Sequence, residues 1–188
     1  MTKMISYGLF AAVGATLTLG CSSMKRETDK ALSTPSAESK TAARAAGASE
    51  VVEVNFDQGS FVLTEGSREA LRDMVNDAKK NGQIDDLKIL AWADKDYPTN
   101  SNTKATRADK QLADQRATAI SNFVKSELKV GDVDTYNMTE RPNALEDLLN
   151  TSDADVKRAF EQAGVTGSGG KSITGKASRA VVMATLED

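Results

Sequence analysis

The chain has 188 residues, 39% of them hydrophobic and 27% charged, with 24 Lys and Arg against 27 Asp and Glu and a net charge of −3. That is about one domain of sequence with enough apolar content for a core, and it lacks the basic footprint of a nucleic-acid binder. There is no histidine and a single cysteine, Cys21, which removes the commonest general base and transition-metal ligand, an internal disulfide and a cysteine-based zinc site.

The first element in chain order is an apolar run from Ile5 to Leu19, preceded by Lys3. At about fifteen residues it is short of the roughly twenty that span a bilayer, and it fits the apolar region of a secretory signal over residues 1–20. It ends at Leu19-Gly20-Cys21, which resembles a bacterial lipobox. That resemblance implies lipidation of Cys21 as the mature N-terminus, and Ser22 after it implies sorting to the outer membrane. An uncleaved membrane anchor with an incidental cysteine is the competing reading. Residues 21–49 are rich in Ser, Thr, Ala and Lys and contain Pro35, so they read as a flexible linker with an end-to-end distance of roughly 30 Å. A helix over Glu38 to Ala48 is the alternative there, because Ala is frequent.

From residue 50 onward the patterns become regular and the charge balance turns acidic. Val51 to Phe56 alternates like a half-buried strand. Thr64 can cap a helix with Ala70, Leu71, Met74, Val75 and Ala78 on one stripe, closed by Asn81-Gly82. Leu87 to Trp92 is a second strand, followed by a polar loop over 95–107. A second helix runs from about Asp109 to Leu128. Val133 to Met138 is a third strand, Ala144 to Leu149 and Asp155 to Ala163 are helical, Gly164 to Gly175 is a loop, and Ala180 to Leu186 is the last strand. This βαβαβ(α)β order predicts an α+β fold: a small mixed sheet with helices packed on one face, with an insertion over 143–176.

One residue does not fit its face. On the second long helix Leu112, Arg116, Ile120 and Phe123 or Val124 recur at helical spacing, which puts Arg116 inside the apolar stripe. A guanidinium keeps its proton, so burying it without an acceptor costs several kcal/mol, as a rough figure. Asp94, at the end of the preceding strand, is the leading partner. A fold-fixing buried salt bridge, or an Arg that snorkels to solvent, is the bland explanation.

The ordered set Val54-Asn55-Phe56-Asp57 with Leu63-Thr64-Glu65-Gly66, Ala91-Trp92-Ala93-Asp94, Leu112-Ala113-Asp114-Gln115-Arg116-Ala117, Glu140 with Pro142, and Ser178-Arg179-Ala180-Val181-Val182 resembles the OmpA-like, peptidoglycan-associated lipoprotein family over residues 50–188. The resemblance implies that Asp94 and Arg116 bind the diaminopimelate of the peptidoglycan stem peptide. An ammonium would go to Asp94 and a carboxylate to a bidentate Arg116. Trp92, Asp109 and Arg179 join them as candidate peptidoglycan-binding residues. The chain departs from the family pattern with Ala91 for a Gly, Asp109 for an Asn, and a longer loop after Asp94 carrying Lys95, Lys104 and Arg107.

The expected function is an outer-membrane lipoprotein that tethers the envelope by non-covalent peptidoglycan binding, its domain facing the periplasm. No cofactor and no reaction is expected. The rival is an OmpA-like interaction module that docks an envelope protein partner, through 143–176. A cell-wall enzyme is third, since no Ser–Lys or carboxylate pair can be located for it. Gly170-Lys171-Ser172 is not a phosphate loop: position 165 is Val where the upstream glycine is required. The carboxylates at Asp85, Asp86, Asp153 and Asp155 read as turn and helix-start residues.

Overall fold

The computed structural model describes residues 34–95, 104–141, 152–162 and 178–187. The signal over 1–20, Cys21, most of the linker, the helix expected at 144–149 and the loop at 164–175 lie outside the described residues, as do Lys171 and Asp188. Among the described residues eight elements follow in order: α1 (Ala37–Ala45), β1 (Glu50–Asn55), α2 (Glu65–Asn81), β2 (Ile84–Ala91), α3 (Arg107–Ser126), β3 (Val133–Asn137), α4 (Ser152–Gln162) and β4 (Arg179–Leu186).

The long helices start where side-chain acceptors satisfy their first N–H groups. Thr64 Oγ1 accepts from the Ser67 N–H at 3.1 Å at the head of α2. Thr106 and Asp109 form a reciprocal capping box at the head of α3, with the Asp109 N–H on Thr106 Oγ1 at 3.2 Å. Caps of this kind contribute about 1 kcal/mol each. The apolar stripe of α2 then turns inward as expected: Ala70, Leu71, Met74, Val75 and Ala78 are all buried.

The four strands form one sheet in the order β1-β4-β2-β3. β4 is antiparallel to both β1 and β2, with Val52 opposite Val182 and Ile89 opposite Val182 on the other side. β2 and β3 are parallel, Ile89 pairing with Thr135, and α3 is the crossover that parallel neighbours require. The α+β class and the mixed sheet are those expected from the sequence.

The layering differs from a sheet with helices on one face. α2 and α3 cover one side, where Leu71, Val75, Ile120 and Phe123 meet Val52, Val54, Leu87, Ile89 and Val182. The opposite side is covered as well: Ala42, Ala43 and Ala48, with Val156 and Phe160 of α4, meet Leu90, Trp92, Tyr136, Met138, Val181 and Met183. The physical reason lies in the central strand. Ala180 to Ala184 of β4 are five consecutive buried apolar residues, the pattern of a strand with both faces out of water rather than one. The linker reading of 21–49 therefore gives way at its C-terminal end to the helical alternative. Ser36 caps α1, accepting from the Ser39 N–H at 3.2 Å, and the folded unit begins before residue 50.

Among the described residues no helix is long and apolar enough to cross a membrane. The second core predicts its own sensitivity. Phe160 is fully buried and its ring lies 6.4 Å from that of Trp92. Phe160→Ala is expected to cost about 3–5 kcal/mol in urea denaturation, with a red shift of the emission of Trp92, the chain's single tryptophan. A cost below about 1 kcal/mol would mean that α4 is not part of the cooperative core.

Candidate functional site

The site is built where β2 runs out. Past Ala91 the strand pairing continues irregularly. The Trp92 N–H donates to the Arg179 carbonyl at 2.9 Å, and the Ser178 N–H donates to the Ala93 carbonyl at 2.7 Å. These two contacts fix the backbone on either side of Ala93 and carry Asp94 out past the end of the sheet. The loop after β1 comes back over the same place. Gly59 sits there at φ +70°, with open space where a Cβ would stand, a left-handed conformation that glycine adopts without the cost other residues bear.

Asp94 and Arg116, distant in sequence, meet at this point. Asp94 Oδ1 accepts from Arg116 Nη2 at 2.6 Å and from the Ser178 hydroxyl at 2.7 Å, while Oδ2 accepts from the Gly59 N–H at 2.6 Å. Burial by itself would raise the Asp94 pKa. The Ser178 hydroxyl, the Arg116 and Gly59 hydrogen bonds and the Arg116 charge outweigh it and hold the carboxyl below the usual carboxylate range. Its side chain remains 20% exposed, so this carboxylate is reached by solvent.

Arg116 is the reverse. Its side chain has no exposed surface. Besides Asp94, Nε donates to the Ser60 carbonyl at 2.8 Å, Nη1 to the Trp92 carbonyl at 2.9 Å and Nη2 to the Asp57 carbonyl at 3.3 Å. The guanidinium also lies over the Phe56 ring, 5.0 Å from its centre, a favourable place for a cation out of water. Four of the five N–H groups of an arginine are thereby committed, and three of those four acceptors are backbone carbonyls. The expectation of a bidentate contact from Arg116 to a ligand carboxylate does not fit this geometry. Such a contact would require Asp57 and Ser60 to be released and the loop over the guanidinium to lift. Arg116 holds Asp94 and the 57–60 loop in place and leaves the outward-facing chemistry to Asp94.

The other candidates are separated from this pair. Asp109 accepts from Lys95 Nζ at 2.7 Å and from the Thr106 hydroxyl at 2.6 Å. The Lys95 ammonium and the Thr106 hydroxyl hold its carboxyl below the usual range. It caps α3 and pairs with the exposed Lys95 just after Asp94, so it stands at the rim. Trp92 and Arg179 point the other way. Both side chains are on the face covered by α1 and α4, Trp92 in the second core and Arg179 stacked on it at 4.8 Å. Arg179 pairs there with Glu53 at 3.2 Å, so neither side chain lies at the Asp94 rim. Glu140 pairs with Lys110 at 2.7 Å. Gly59 and Ser178, which clamp Asp94 from two sides, were not among the candidates. The Asp57-Gln58-Gly59 turn offers a signal for the first, whereas nothing in the local sequence marks the second. Among the described residues no group of three or more His, Cys, Asp and Glu could hold a metal ion.

Removing a buried cation's partners, or the cation itself, strands the rest. Arg116→Ala leaves three carbonyls and a carboxylate without their donor and is expected to cost about 3–5 kcal/mol in urea denaturation. Arg116→Lys should recover little, because one ammonium cannot reach the same fork of acceptors. A loss below about 1 kcal/mol in Arg116→Ala would contradict this account. Asp94 has a folded pKa below its unfolded value. Its stabilising effect is therefore complete above the unfolded pKa of about 3.9 and disappears as pH falls through the lower folded value. The stability gap between the wild type and Asp94→Asn should accordingly be constant at neutral pH and narrow below about pH 4. A gap independent of pH down to acid unfolding would contradict it.

No known protein-family profile matches the chain, and no curated protein sequence matches it. Among solved structures it is similar to the OmpA-like domain of FopA1 from Francisella tularensis subsp. tularensis SCHU S4, with 8% identity, a TM-score of 0.38 and coverage of 72% of each chain. It is also similar to a putative MotB-like protein from Desulfovibrio vulgaris, with 15% identity, a TM-score of 0.33, and coverage of 88% of this chain and 93% of that one.

Proposed function

We propose that this chain binds peptidoglycan without reacting with it, Asp94 taking an ammonium group of the stem-peptide diaminopimelate. The observation that carries this reading is the clamped, ionised and partly exposed Asp94 carboxylate, held by Arg116, Ser178 and Gly59 at the end of β2. A carboxylate with three fixed donors is already oriented and loses little freedom when a fourth arrives. The ammonium–carboxylate contact is charge-assisted and local, so the acidic balance of the domain does not decide it. The anionic end of the ligand then falls to the rim, where Lys95, 66% exposed beside Asp109, is the nearest cation in sequence. With the signal-like run, Cys21 and the linker, the reading extends to a lipid-anchored outer-membrane protein whose domain holds the wall from the periplasm.

A second reading, docking of an envelope protein, has one observation in its favour. Phe61 and Val62 are exposed at 43% and 65%. They border an open groove of about 330 Å³ lined also by Leu63, Ala119 and Phe123. Exposed apolar surface of this kind is often an interaction site.

Co-sedimentation of the chain with purified peptidoglycan separates the two. Binding by the wild type should fall at least about tenfold in Asp94→Ala, the loss of a charged contact being worth about 1.4 kcal/mol or more. It should be competed by free diaminopimelate and be insensitive to Val62→Asp. A folded wild type that stays in solution would overturn the wall-binding reading, and release of soluble wall fragments would point instead to an enzyme.

A further inference from the structure

The second face of the sheet holds polar groups that the Asp94 site does not use and yet is connected to. Glu53 points from β1 toward α1. Its Oε1 accepts from the Ser39 hydroxyl at 2.5 Å and from the Ser36 N–H at 3.2 Å, and Arg179 Nη1 lies 3.2 Å away. Burial would raise the Glu53 pKa; the Ser39 hydroxyl, the Arg179 charge and Ser36 outweigh it and keep the carboxyl ionised.

The residue before Arg179 faces the other way. Ser178 sits at φ +65°, a left-handed conformation that is uncommon for a residue other than glycine, asparagine or aspartate and costs about 1 kcal/mol. Three contacts hold it there. Its N–H is on the Ala93 carbonyl at 2.7 Å, its carbonyl accepts from the Phe56 N–H at 2.7 Å, and its hydroxyl is on Asp94 at 2.7 Å. Two adjacent residues thus place one side chain on the buried Glu53 and the other on the carboxylate of the site.

The element at the far end of this connection is poorly anchored by apolar surface. α1 is nine residues long and buries Ser39, Ala42 and Ala43. A helix of that length is not stable alone in water, and alanine side chains supply little apolar area. The hydroxyl and N–H contacts to Glu53 add polar docking to the alanine contacts with α4 and the sheet, and opening of so short a helix belongs to the low-energy end of local unfolding.

We propose that docking of α1 and ligand binding at Asp94 are coupled through Ser178-Arg179, with Ser178 as a positioning residue. With α1 docked, Glu53 holds the Arg179 side chain, and the 178–179 backbone, bonded to Trp92, Ala93 and Phe56, aims the Ser178 hydroxyl at Asp94. With α1 released, Glu53 and Arg179 are open to water, the side-chain anchor of the 178–179 segment is lost, and the strained Ser178 is left with its contacts to Ala93, Phe56 and Asp94 alone. The ligand half of this proposal rests on the reading of Asp94 as the ligand-facing group. Because coupling is reciprocal, a ligand on Asp94 must also slow the opening of α1.

The test uses the full-length chain and two variants, Ser39→Ala, which leaves every charge in place, and Glu53→Gln. Hydrogen exchange over 37–45 reports release of α1. The Gly59 amide resonance and the titration of the Asp94 carboxyl report the site without any ligand. The expected result is faster exchange over 37–45 in both variants, a shifted Gly59 amide and a higher Asp94 titration midpoint. Peptidoglycan binding should weaken by about fivefold or more. Faster exchange with Gly59 and Asp94 unmoved would overturn the coupling, and unchanged exchange in both variants would overturn the Glu53 clasp. If the wild type does not sediment with peptidoglycan while Gly59 and Asp94 still respond, the coupling stands and the wall-binding reading fails.

Discussion

A guanidinium with no exposed surface is the constraint around which the rest of this structure is arranged. Taking a cation out of water costs several kcal/mol, roughly, even after relaxation, and the cost is recovered only when its donors are satisfied and its charge is opposed. Arg116 meets both conditions by drawing in four acceptors and a ring face. Those acceptors belong to two separate stretches of chain, the 57–60 loop after β1 and the 92–94 segment after β2. The buried charge therefore fixes the mutual position of two loops that share no regular hydrogen bonding. The partly exposed Asp94 is the only charged acceptor among the four, and it is where the arrangement meets solvent.

The sheet sets the frame for that meeting. With β4 between β1 and β2, the last residues before and after these strands come together at one end, and Ser178, Phe56 and Ala93 bind each other through backbone groups. The two faces then divide the labour. The face under α2 and α3 carries Arg116 and delivers Asp94 to the rim. The face under α1 and α4 carries the second buried pair, Glu53 with Arg179, which secures the segment next to the linker. Both buried arginines lie on aromatic rings, Phe56 and Trp92, and a rigid planar ion on an apolar ring loses less on desolvation than a strongly hydrated ammonium would.

The parts of the fold governed by local periodicity were legible in the sequence. Alternation at Val52 and Val54, the stripe from Ala70 to Ala78, and Arg116 interrupting a helical stripe together gave the strands, the long helices and the Asp94 partnership. What escaped depends on tertiary context. The unbroken apolar run Ala180 to Ala184 signals a strand covered on both sides, but it does not say which segment provides the second cover. α1 is short and alanine-rich, a composition equally at home in a tether, and only Glu53 and the sheet decide for the helix. Arg179 lies on the Trp92 ring and pairs with Glu53 on the face under α1 and α4, turned away from Asp94, although the motif resemblance groups them. Ser178 and Gly59 act on Asp94 through a backbone geometry that no residue type encodes by itself.

The central claim is that Asp94 is a preset acceptor for an ammonium group. Its most direct measurement is calorimetric titration of the chain with a soluble muropeptide whose diaminopimelate side-chain amine is free, beside the same muropeptide with that amine acetylated. Saturable one-to-one binding of the first is expected, with at least about a tenfold loss for the second, since acetylation removes the charge that Asp94 is proposed to accept. Equal affinity for the two muropeptides would contradict it.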